Sequence, residues 1–105
     1  MATNEVIELL KKYVSLLNSQ GISVYKAYLF GSYSTNTASD SSDIDVMIVS
    51  DNCDETDDLA AGKMWKLTRN VNTRIEPFLI GKNKFNNDNS SPLVSLIKTQ
   101  GIEIA

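Results

Sequence analysis

The chain has 105 residues, 42% of them apolar, and a net charge of −3, which suits one globular domain and is short for two. Thirteen Asp and Glu against ten Lys and Arg exclude the broad basic surface that grips nucleic acid strongly. A single cysteine and no histidine exclude an internal disulfide, a Cys/His zinc site and a His-based triad, and favour a reducing, cytoplasmic location. The opening Met1 to Glu5 lacks the basic start and apolar core of a signal peptide, and no apolar run approaches membrane-spanning length, so no membrane association is expected.

In chain order, residues 5–17 read as an amphipathic helix. Val6, Leu9, Leu10, Tyr13, Val14 and Leu17 recur at spacings of three and four, with Glu and Lys on the other side. Thr3 or Asn4 is expected to cap it and Gly21 to end it. Ile22 to Phe30 is rich in β-branched and aromatic residues and predicts a strand that Gly31 stops. Residues 31–42 are dominated by Ser and Thr and suit a short helix or turn followed by a loop. Residues 43–49 predict a second strand. Asp51 to Asp58 form an acidic loop that lacks the ligand order and central Gly of an EF-hand, and reads as solvated acids before a helix N-terminus.

Residues 57–70 predict a second helix, with Leu59, Met64 and Leu67 inward and Trp65 at the boundary. Thr73 to Ile80 predicts a third strand, with Glu76 near its middle. Pro77 has no N–H and confines that strand to an edge or a bulge. Residues 81–90 read as a polar loop. Ser91-Pro92 starts a final helix as N-cap and N1, Leu93, Val94, Leu96 and Ile97 supply its apolar face, and Gly101 ends it. Ile102 to Ile104 alternates and predicts a short last strand.

Asp43 and Asp45 share one face of a strand while Ile44, Val46 and Ile48 take the other. Two carboxylates side by side repel, and a divalent cation with hard oxygen ligands is the simplest remedy. If Glu76 faces the same way, three carboxylates converge, as phosphoryl and nucleotidyl transfer require. Gly31-Ser32 adds what such a site needs for phosphates: a glycine that lets backbone N–H groups approach, and a hydroxyl donor. Each piece alone is common, since Gly-Ser ends many turns and Asp-x-Asp often lies at a solvated strand end. Their order and spacing carry the information.

Gly31-Ser32 followed by Ser42-Asp43-Ile44-Asp45 and the apolar run Val46 to Val49 resembles the signature of the minimal nucleotidyltransferases of the DNA polymerase β superfamily. The resemblance extends to the first helix, the strand bearing the third acid and the closing segment. It implies an α/β (α+β) fold: a mixed sheet of three or four strands with helices mainly on one side. It implies Asp43, Asp45 and Glu76 as catalytic ligands of Mg²⁺ or Mn²⁺, and Gly31, Ser32 and Ser42 on the nucleoside triphosphate. Two departures stand out. Tyr33 and Asn36 occupy places where relatives often carry Arg and Gly, and Glu76 stands where the third acid is commonly Asp.

Larger relatives carry an added domain that grips the acceptor. The resemblance therefore implies an open site here, with the acceptor brought by another protein. Stand-alone domains of this type are often paired with a small helical protein, some as the antitoxin of a toxin–antitoxin pair that transfers AMP from ATP to a partner tyrosine. The alternatives are an antitoxin module that masks its partner with little or no catalysis, and a nucleotidyltransferase acting on a small molecule such as an antibiotic. Pairing with a second copy of the chain stays open.

Overall fold

The structure is a computed structural model and describes residues 1–35, 37–39, 42–87 and 91–105. Helix α1 spans Thr3–Ser19 and β1 Val24–Phe30. A 3-10 turn, Gly31–Tyr33, leads towards β2, Ile44–Ser50. Then come α2, Asp58–Leu67, a 3-10 turn at Thr68–Asn70, β3, Ile75–Gly81, α3, Lys82–Asn87, α4, Pro92–Gln100, and β4, Ile102–Glu103.

Helix α1 forms because Val6, Leu10, Tyr13, Val14 and Leu17 fall on one stripe, and all are buried. Its N-cap is Ala2 rather than Thr3 or Asn4, which both lie inside the helix. Alanine has no side-chain acceptor, so only half of a capping box exists: Glu5 reaches back to accept the Ala2 N–H at 3.2 Å. Gly21 does end the helix. Its φ of 91° lets the Ile22 N–H return to the Leu17 carbonyl at 3.0 Å, closing the last turn.

The four strands form one mixed sheet in the order β3-β2-β1-β4. β1 runs antiparallel to β2 and β4, while β2 and β3 are parallel. A parallel pair needs a crossover, which α2 supplies. Pro77 sits on β3, an edge of the sheet, where its missing N–H leaves no ladder bond unmade.

Strand alternation splits the core in two. Ile44, Val46 and Ile48 of β2, with Ala27 and Leu29 of β1, pack under the two longer helices α1 and α2. The buried Tyr13 hydroxyl ties those helices together by donating to the Met64 carbonyl at 2.8 Å. Met47 and Val49 face the other way, with Phe30 and Ile80, against Phe85 of α3 and Val94 and Ile97 of α4.

Three local expectations change. Residues 82–87 of the expected polar loop are helical, because Phe85 has a core to enter; residues 88–90 lie outside the described residues. Leu59 points outward and is 89% exposed, while Met64 is buried and Trp65 stands half out at 48%. Leu59 belongs to the first turn of α2, ahead of the point where the helix meets α1. The second helix also ends earlier, at Leu67, and continues as a 3-10 turn whose Thr68 hydroxyl donates to the Trp65 carbonyl at 2.7 Å. Among the described residues no helix is long and apolar enough to cross a membrane.

Candidate active site

The acids meet because of strand register. In the parallel pair Asp45 lies opposite Glu76, so both side chains leave the same face of the sheet. Glu76 is the second residue of β3 rather than a mid-strand residue, and Asp45 is the second residue of β2. Asp43 precedes β2 by one residue and, by alternation, joins that face. On the other flank Phe30 pairs with Asp45, so the turn after β1 emerges at the same end of the sheet.

That turn is tight against the acids. Gly31 adopts φ of 75°, a left-handed conformation suited to glycine. A Cβ added at Gly31 would lie 2.3 Å from Asp45 Oδ2, so only glycine brings this backbone so close to that carboxylate. The Gly31 carbonyl accepts from the Ser34 N–H at 3.1 Å and the Ser34 hydroxyl at 2.9 Å. Ser32 is half-buried, and its carbonyl accepts from the Thr37 N–H at 2.9 Å. The Ser42 hydroxyl accepts from the Ser39 N–H at 2.8 Å. Asn36 lies outside the described residues.

Asp43 is exposed, while Asp45 and Glu76 are half-buried. Desolvation, and then the Asp43 charge, push the Asp45 carboxyl above the usual carboxylate range. Glu76 is pushed up too, first by desolvation, then by its hydrogen bond with Asp43 and by the charges of both aspartates. The three groups therefore crowd one another. Ion pairs are found elsewhere, among them Lys11–Glu8, Lys26–Glu103 and Lys84–Glu55.

A hard divalent cation fits this donor set: carboxylate oxygens, a charge surplus and an open side. Among the described residues no three His, Cys, Asp or Glu side chains are grouped so as to hold a metal ion by themselves. That is compatible with a Mg²⁺-like ion, which is held by one or two carboxylates plus phosphate oxygens and waters, rather than by an all-protein cage.

One residue of this region was not singled out from the sequence. Arg74, just before β3, sends its guanidinium to the Ser42 carbonyl through Nε at 3.0 Å and through Nη2, and Nη2 also donates to the Tyr33 hydroxyl at 3.0 Å. Only its position two residues ahead of Glu76 hinted at it. Phe30 and Phe78 also meet edge to face beside the acids, with ring centroids 5.4 Å apart.

Comparison with known proteins bears on the family and the fold. A family model described as a nucleotidyltransferase domain matches residues 7–95. No curated protein matches the sequence. Among solved structures, a nucleotidyltransferase candidate from Sulfolobus solfataricus superposes with a TM-score of 0.65 at 17% identity, over 96% of this chain and 80% of that one. A toxin–antitoxin structure with AMP-PNP gives 0.62 at 24% identity, over 100% of this chain and 73% of that one. A mutant MntA–HpeT toxin–antitoxin structure gives 0.61 at 23% identity, with the same coverage.

Proposed function

The chain belongs to the nucleotidyltransferase domain family, and from that premise we propose that it transfers a nucleoside monophosphate, AMP from ATP, to a hydroxyl of a partner protein, with Asp43, Asp45 and Glu76 as the metal-binding centre. The observation that carries this reading is the parallel register that sets Asp45 opposite Glu76, two residues after Asp43 and against the Gly31 backbone. A divalent cation bound there, Mg²⁺ or Mn²⁺, supplies Lewis-acid stabilisation of the charge that develops on the phosphates.

The chain's own residues bind and orient. Gly31, with no side chain, leaves its backbone and that of Ser32 open to the triphosphate, and the Ser32 and Ser42 hydroxyls add polar contacts at its edge. In the transfer, the acceptor oxygen forms a bond to the α-phosphorus. The bond from that phosphorus to the bridging oxygen breaks, pyrophosphate leaves, and the hydroxyl proton passes to a carboxylate. The cluster is open on one side, with Asp43 exposed, which suits an acceptor presented by another macromolecule. The toxin–antitoxin neighbours support a partner protein as the source of that acceptor, and the AMP-PNP in one of them supports ATP as donor.

The test is incubation with α-labelled ATP, Mg²⁺ and a candidate partner such as a small helical protein encoded beside this one. Label should move to the partner with wild-type protein and stay on the nucleotide with Asp43→Asn or Asp45→Asn. Label transfer that persists in both variants overturns the assignment of the site. Partner neutralisation without any label transfer would instead favour a masking module.

A further inference from the structure

Arg74 touches Asp43's neighbours on both sides. Its guanidinium donates to the carbonyl of Ser42, the residue before Asp43. Its own carbonyl accepts from the N–H of Ile44, the residue after Asp43, at 2.9 Å. Asp43 stands before the first ladder residue of β2, so regular sheet pairing does not hold its backbone. The same guanidinium reaches the hydroxyl of Tyr33 at 3.0 Å, and Tyr33 closes the turn that begins at Gly31. Tyr33 is only 3% exposed, so its ring is anchored in the core and its hydroxyl is a fixed point. Arg74 is itself fixed: Asn72 Oδ1 accepts its N–H at 2.8 Å, and β3 starts at the next residue, leading to Glu76.

We infer that Arg74 is a positioning residue that locks the Asp43 backbone, the Gly31–Tyr33 turn and the start of the Glu76 strand into one frame. The inference rests on the proposed nucleotidyltransferase site. A guanidinium suits this task because it is planar and always charged, and it offers several donors in a fixed fork. Here the fork is bonded to a carbonyl and a phenol rather than to the carboxylates. The residue therefore acts on where Asp43 sits, and not as a counter-ion for it. Partners that orient metal ligands typically change metal affinity or activity by about 10–100-fold when removed.

The experiment is calorimetric titration of Mn²⁺ into the protein with a non-hydrolysable ATP analogue, run on wild type, Arg74→Met, Arg74→Lys and Tyr33→Phe, with denaturant unfolding of each. Arg74→Met should weaken Mn²⁺ binding by about 10–100-fold. Arg74→Lys, which keeps the charge but has no fork, should fall between Met and wild type, and Tyr33→Phe should lose less than either. Added guanidinium ion should restore part of the binding to the Met variant, a rescue that a purely structural defect would not show. If Arg74→Met fails to fold, the Lys and Phe variants decide. Wild-type Mn²⁺ affinity in every folded variant overturns the inference. A wild-type protein that binds no Mn²⁺ overturns the proposed site instead, so the two failures are distinguishable.

Discussion

Two parts of this molecule are crowded with carboxylates, and they handle the charge in opposite ways. The loop from Asp51 to Asp58 gives Asp54, Glu55 and Asp57 protein donors. Asp54 accepts from the N–H and the hydroxyl of Thr56 at 2.9 and 2.5 Å, which hold its carboxyl below the usual range. Asp57 caps α2 by accepting the Ala60 N–H at 3.0 Å. Glu55 accepts from the Gly81 N–H at 3.4 Å and meets Lys84 at 3.9 Å. At the other end of β2, burial and the Asp43 charge push Asp45 up, and burial and the two aspartates push Glu76 up. The number of acids is a poor guide to a site. Acids set against each other, beside a backbone that only glycine can follow, are a better one.

The contrast can be broken first by mutation. Asp43→Asn or Asp45→Asn should lower label transfer by at least about 100-fold, more than the loss usual for an orienting partner. Replacing Asp51, Asp54 and Asp58 together with Asn should leave the rate unchanged. Equal losses in both regions would erase the distinction. Next in size, Gly31→Ala forces a Cβ into the Asp45 carboxylate in a left-handed conformation. It should cost roughly 1–3 kcal/mol by denaturant unfolding and reduce Mn²⁺–nucleotide binding as well.

Asp57→Ala removes a helix cap in the other region and should cost about 1 kcal/mol, with Mn²⁺–nucleotide binding intact. The smallest effect sharpens the comparison through pH. Asp45 and Glu76 hold protons more tightly folded than unfolded, so folding takes up protons between the two affinities. The stability this brings is full at acid pH and is lost as the pH rises through the raised folded values. At neutral pH, metal-free Asp45→Asn should therefore be more stable than wild type, by no more than about 1 kcal/mol because both groups are partly solvated. Thermal unfolding should show that advantage shrink as the pH falls, and shrink again with added salt.

Much was legible without coordinates because it depends on short-range periodicity. The α1 stripe, the alternation from Asp43 to Val49, the edge placement of Pro77 and the Ser91-Pro92 helix start all follow from local backbone geometry. They are found where expected. What failed depended on distant neighbours. Leu59 is apolar and predicts core, but among the described residues no element covers it. Residues 82–87 read as loop because they are polar, but one residue, Phe85, enters the second core and holds them helical.

By itself the amino-acid sequence determined the spacing of Gly31, Asp43 and Asp45, and therefore which side chains share a strand face. It also determined the chemistry available there: oxygen ligands, no histidine and a single cysteine. Only the tertiary structure decided that Glu76 joins them, because pairing between β2 and β3 is a long-range choice in which a slip of one residue sends the side chain to the opposite face. It also decided that Arg74, an unremarked cation in the sequence, binds the chain on both sides of Asp43. Hydrogen bonds between residues 32 positions apart leave no periodic trace, since nothing in local geometry requires the two ends to meet.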